Sequence, residues 1–84
     1  MDDDRRIAST IDTLLGTRAA STSICPSEVA RALADDEAAW RALMPAVRRV
    51  AAAMAAAGRL RVTRGDVEVD AMSAGGPIRL RRPR

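Results

Sequence analysis

Residues 58–70 read Gly58-Arg59-Leu60-Arg61-Val62-Thr63-Arg64-Gly65-Asp66-Val67-Glu68-Val69-Asp70. Leu60 and Val62 alternate with Arg59, Arg61 and Thr63, and Val67 and Val69 alternate with Glu68 and Asp70. A period of two is the pattern of a half-buried strand. With Arg64-Gly65 as a two-residue turn, Thr63 faces Asp66, Val62 faces Val67, Arg61 faces Glu68 and Leu60 faces Val69. Every apolar residue then lies on one side and opposite charges pair on the other. Arg-Gly is a weaker hairpin turn than Asn-Gly, and a three-residue turn is the alternative.

Upstream of Gly58 the period is helical. Trp40, Leu43, Met44, Val47, Val50, Ala51 and Met54 form one stripe that crosses Pro45. A first turn or two around Ala38 to Leu43 and a main helix over Pro45–Ala57 is expected, because proline suits a first turn and Gly58 a C-terminal stop. One long helix kinked at Pro45 is the alternative. Before it, Cys25-Pro26-Ser27-Glu28 starts a short helix, with Cys25 as N-cap and Glu28 reaching back. Val29, Ala30 and Leu33 form its buried face, and Asp35, Asp36 and Glu37 begin the next helical piece. Ile24, apolar and β-branched, is a short strand or plug after polar chain at Ser21–Ser23. The first helix runs from about Asp3 to Thr17. Asp2, Asp3 and Asp4 cap it and sit at the positive end of its dipole. Its stripe is Ile7, Ile11, Leu14 and Leu15.

Downstream, Ala71–Pro77 is a small-residue connection through Gly75-Gly76-Pro77. Ile78 and Leu80 then alternate with Arg79 and Arg81, a third strand returning on the hairpin. The order is helix, extended segment, helix, helix, hairpin. The expected fold is α+β and mostly helical: a winged helix-turn-helix, with a three-helix core and a C-terminal β-hairpin wing. Ile11, Leu15, Leu33, Val47 and Met54 are buried together, and the apolar face of the hairpin covers an open side. The 84 residues have room for one domain, 1–84, ending in a short basic tail over 81–84.

Composition removes several function classes. There is no histidine, tyrosine or phenylalanine, and Cys25 is the only cysteine. The commonest general base and the commonest zinc ligand are therefore absent, and no disulfide can form within the chain. The carboxylates fall in helix starts and on a strand, which are ordinary surface positions. No enzymatic activity, metal or cofactor is expected. The acidic start is no secretory signal and no apolar run spans a membrane, so a cytoplasmic protein is expected.

All 14 basic residues are arginines. Residues 1–40 hold four against eight acids, net −4, whereas residues 41–84 hold ten against three, net +7. Such asymmetry suggests a side that faces a polyanion. An arginine-rich genome that uses arginine for every surface cation is the competing explanation.

The run Ile24-Cys25-Pro26-Ser27-Glu28-Val29-Ala30-Arg31, then Trp40-Arg41, Leu43-Met44 and Val47-Arg48, then Gly58, then Gly76-Pro77-Ile78-Arg79-Leu80, resembles a small bacterial winged-helix family of unknown function. The resemblance covers about Ile7 to Arg81. It implies the fold and a bacterial origin, and it carries over no activity and no catalytic or binding residue.

The main helix is the recognition element of such a layout. On a helical wheel Arg41, Arg48 and Ala52 lie opposite Val47, Val50 and Met54, with Arg49 a quarter-turn from Arg48. Arg48 and Arg49 are placed to touch phosphates or a guanine edge. A solvated, alanine-filled face is the alternative. The helix lacks exposed Asn, Gln, Ser and Lys, so phosphate contact is favoured over base reading. Arg64 at the turn is the better wing candidate, because Glu68 and Asp70 are expected to oppose Arg61 and Arg59. Arg79, Arg81, Arg82 and Arg84 form the densest cationic segment, either as phosphate contacts or as a solubilising terminus. Trp40 reads as a core anchor, and as a partner contact if exposed. Cys25 reads as a small cap or, alternatively, a redox-sensitive thiol. The leading expectation is phosphate contact to double-stranded DNA. The alternative is a protein-interaction or homodimerisation module, in which the acidic half of one copy meets the basic half of another.

Overall fold

A computed structural model describes residues 2–19 and 22–83, with the side chains of Asp2 and Asp3 outside the description. Three helices precede three strands: α1 (Asp2–Gly16), α2 (Pro26–Leu33), α3 (Glu37–Ala56), β1 (Arg61–Arg64), β2 (Val67–Glu68) and β3 (Arg79–Arg81). The architecture is α+β, with the strands antiparallel in the order β2-β1-β3. Expected capping by Asp2 and Asp3, and the expected places of Ser21 and Arg84, fall outside the described residues.

Each helix boundary has a local cause. At α2, Pro26 loses nothing by lacking an N–H in the first turn. The Cys25 backbone N–H donates to the Glu28 carboxylate at 2.8 Å. At α3, Asp36 is the N-cap and its carboxylate accepts from the Ala39 N–H at 3.1 Å. The far end of α3 closes as a Schellman motif: Gly58, at φ +75°, donates to Ala55 O, and Arg59 donates to Met54 O. Only glycine adopts that left-handed turn without strain.

Two expectations need correction. First, α3 is one continuous helix through Pro45 rather than a short piece followed by a main helix that begins there. Proline deprives the Arg41 carbonyl of its helical partner, but Pro45 is exposed and water can serve that carbonyl instead. The apolar stripe on the opposite side holds the helix together.

Second, the hairpin turns at Gly65-Asp66, not at Arg64-Gly65. Thr63 pairs with Glu68 and Arg64 with Val67. Gly65 has φ +62°, and no described residue other than glycine has a positive φ. Glycine at the first central position of a two-residue loop is the demand of a type II′ turn, whose twist matches the strands. A turn centred on Arg64-Gly65 would put the strain of a primed turn on arginine. The two-residue shift preserves the faces but moves the pairs. Val69 now donates to Val62 O at 3.0 Å. Val67 overhangs the end of the core and is 65% exposed. Arg61 lies across from Arg81, not Glu68, and Arg59 reaches Asp12 of α1 rather than Asp70.

The third strand forms as expected. Leu80 pairs with Val62 on one side and exchanges two hydrogen bonds with Ile24 on the other, at 2.9 and 2.8 Å. Ile24 therefore extends the sheet beyond β3 and ties the α1–α2 connection to it. Ile7, Ile11 and Leu15 meet Ile24, Val29, Val47, Ala51, Met54, Leu60, Val62, Ile78 and Leu80 in one core. Each large aliphatic chain buried this way contributes about 1.5–3 kcal/mol. Leu33, expected inside, is only half-buried against that core.

Candidate nucleic-acid interface

The arginines singled out for polyanion contact are spread over three elements and their connections, and the structure gives them two kinds of partner. One group of arginines holds carboxylates. Arg18 meets Glu28 at 2.8 Å, Arg41 meets Glu37 at 2.8 Å, Arg49 meets Asp4 at 2.6 Å, and Arg59 meets Asp12 at 2.8 Å. The last two pairs join the basic C-terminal half to α1 within one chain. The complementarity expected to bring two copies together is in this part satisfied internally.

Several arginines towards the strands hold neutral oxygens. Arg48 does not point outward from α3 as the helical wheel places it. It is half-buried, donating from Nε to Ala71 O at 2.9 Å and from Nη2 to Ser73 O at 3.3 Å. Arg64 does not project from the turn. It folds back onto the 73–76 loop, reaching Ser73 Oγ at 3.4 Å, Ser73 O at 3.3 Å and Gly76 O at 3.2 Å. Its Nε is buried and has no hydrogen-bond acceptor. Two guanidiniums thus converge on the Ser73 carbonyl and pin the loop between β2 and β3 against α3.

Arg79 holds Ser23 through its hydroxyl at 2.8 Å and its carbonyl at 3.1 Å. Arg61 donates to Arg82 O at 3.0 Å, and Arg81 donates from Nε to the buried Thr63 hydroxyl at 3.0 Å. Strand pairing sets Arg61 opposite Arg81 and Thr63 opposite Arg79, so these three arginines share one face of the sheet. Arg82 is no part of an open tail. Its guanidinium donates to Leu15 O at 3.0 and 2.9 Å, Gly16 O at 3.3 Å and Arg18 O at 2.8 Å. The last turn of α1 contains no basic residue, so a cation from the far end of the chain serves its orphan carbonyls and its dipole. Nothing in the local pattern around Arg82 announces this role.

The two kinds of partner differ in their effect on charge. A carboxylate cancels the charge of its arginine, whereas a carbonyl or hydroxyl leaves it whole. Arg48, Arg61, Arg64, Arg79 and Arg82 are anchored to neutral oxygens in the bonds above, and they lie on or beside the sheet.

Trp40 is not a fully buried anchor. It is half-buried, with the guanidiniums of Arg31 and Arg41 over its ring at 4.6 and 4.9 Å from the centroid. Cys25 is half-buried, its Sγ 3.1 Å from Ser27 Oγ. The Cys25 N–H and the Arg18 guanidinium together hold the Glu28 carboxyl below its ordinary range, against the opposing effect of partial burial. Among the described residues no cluster of His, Cys, Asp or Glu could hold a metal ion, and no helix is long and apolar enough to cross a membrane.

No curated protein matches the chain. A family profile does, over residues 4–83, and its description is "Protein of unknown function (DUF3253)". By that match the chain belongs to the DUF3253 family of proteins of unknown function.

Proposed function

We propose that this protein is a non-enzymatic winged-helix module that holds double-stranded DNA by its phosphates. The winged-helix reading is supported by connectivity. Ile24, between the first two helices, pairs with the last strand, and β1 and β3 form an antiparallel pair behind α3. The wing is then the whole 65–78 segment, with β2 a short excursion inside it.

The observation that carries the DNA reading is the set of charge-retaining arginines along the strands. Phosphate binding needs cations held in place but not neutralised. Arg61 and Arg79 share a sheet face and are positioned by their Nε bonds to neutral protein oxygens. The α3 surface is a poorer contact than the helical wheel suggests. Its exposed positions are mostly Ala38, Ala39, Ala42, Pro45, Ala53 and Ala56, with the acid Glu37 at its start and Arg41 and Arg49 already on carboxylates. The predicted contact is therefore made by the sheet and wing, with α3 lying alongside.

Fluorescence anisotropy of a labelled random duplex against salt concentration tests this. Two phosphate contacts, from Arg61 and Arg79, predict a log–log slope near −2, and Arg79→Ala should reduce its magnitude by about one. A dissociation constant weaker than about 10⁻⁴ M at physiological salt, or one indifferent to salt, would overturn the reading.

A further inference from the structure

The open grooves of the molecule differ in charge. The cleft between α1 and α3 is rimmed by Asp4 as well as Arg49 and Arg59, and the notch at the hairpin turn contains Asp66 as well as Arg61 and Arg81. The groove between α1 and α2 has no acid among its described lining residues. Arg5, Arg6, Ser9, Thr10, Ala32 and Leu33 line it, with a volume near 660 Å³. It adjoins a tighter hollow of about 140 Å³ between Ile7, Leu33 and Leu43, under Arg6. Arg5 and Arg6 are exposed and make no ion pair among the described side chains. That is unlike the carboxylate-bound arginines of the same helical layer.

We propose that the α1–α2 groove receives an acidic amphipathic helix of another protein. A leucine-sized side chain of that helix enters the hollow between Leu33 and Leu43, and its acids pair with Arg5 and Arg6. The groove lies between two helices, which is where a third helix packs by ridges and grooves. Half-buried leucines on its floor and unneutralised cations on its rim are complementary to an apolar stripe flanked by carboxylates. The apolar floor supplies affinity and the rim orients the partner and selects its sign. This surface shares no residue with the strand arginines assigned to DNA, and the inference stands without that assignment.

The test is an amide-resolved NMR titration of the full chain with synthetic helical peptides of about 16 residues, long enough to sustain helix. One carries leucines at i, i+3, i+4 and i+7 flanked by glutamates. The second has the same composition scrambled, and the third replaces the glutamates by lysines. The patterned acidic peptide should shift amides in Arg5–Thr10 and Ala32–Leu43 saturably, and the other two should not. Arg5→Glu with Arg6→Glu should weaken binding about tenfold or more. Ala32→Gln, an exposed and helix-compatible change, should weaken it by bulk without altering charge, and Arg79→Ala should leave it unchanged. Equal binding of the scrambled peptide, no saturable shift with the patterned one, or shifts confined to the strands would overturn the proposal. So would a duplex DNA titration that shifts the α1–α2 groove.

Discussion

The arginines of the helical layer and those around the sheet are chemically identical, yet they are used in opposite ways. Arg49 and Arg59 spend their charge on Asp4 and Asp12, half-exposed partners of α1. Exposed pairs of this kind contribute about 0–1 kcal/mol and weaken in salt. Arg48 and Arg82 bind main-chain carbonyls of segments far away in sequence, and Arg64 binds those of the loop that follows the hairpin. Charge-assisted bonds to partly buried carbonyls are stronger and less screened, and they leave the cation's field intact. A count of arginines and acids therefore misjudges both halves. Part of the +7 of the second half is cancelled by the first half, whereas Arg48, Arg64 and Arg82 are held on neutral oxygens where their charge still acts.

Arg82→Met should separate the two classes most sharply. It keeps much of the apolar stem but leaves Leu15 O, Gly16 O and Arg18 O without their cation. Urea unfolding should show a loss of about 2–3 kcal/mol that persists in high salt. A loss below about 0.5 kcal/mol, the level of an exposed pair, would erase the distinction.

Arg48→Met should cost less, about 1–2 kcal/mol, because Arg64 still holds the Ser73 carbonyl. Amide exchange should quicken from Ala71 to Gly76 while α1 stays protected. Uniform acceleration across the chain would count against a local clamp.

Glu28 sits between the classes, since it binds both Arg18 and a backbone N–H. Its folded-state pKa lies below the ordinary 4.5. Its stabilisation is therefore complete above the unfolded value and is lost as pH falls through 4.5 and on through the lower folded value. Glu28→Gln should cost about 1 kcal/mol at neutral pH and flatten this acid limb. An unchanged melting profile between pH 3 and 7 would show that the carboxylate's charge is irrelevant. Arg49→Ala should have the smallest effect, at most about 0.5 kcal/mol, vanishing in high salt. A larger, salt-resistant loss would place that pair with the carbonyl clamps.

Local rules carry a long way in this chain. The stripe of α1, the Pro26–Glu28 start of α2, the stop at Gly58 and the alternation of Leu60 with Val62 are all legible, because each depends on neighbours a few residues apart. The Gly65-Asp66 turn was legible too: glycine at a first central position is a local signal. The competing register pairs Arg61 with Glu68, an exposed charge pair that contributes too little to override the turn. Pro45 shows the limit of a local rule, since one missing N–H is outweighed by the packing of Val47, Val50, Ala51 and Met54.

The sequence by itself determined which segments are helical, which are extended, and that their apolar faces form one core. Periodicity encodes those facts residue by residue. Only the tertiary structure decided what the arginines around the sheet do. Arg82 caps a helix 66 residues upstream of it at Gly16 O, and Arg79 reaches back 56 residues to Ser23. A guanidinium on a long stem can serve any acceptor within its radius, and which acceptor is near depends on how the elements pack rather than on the residues beside it.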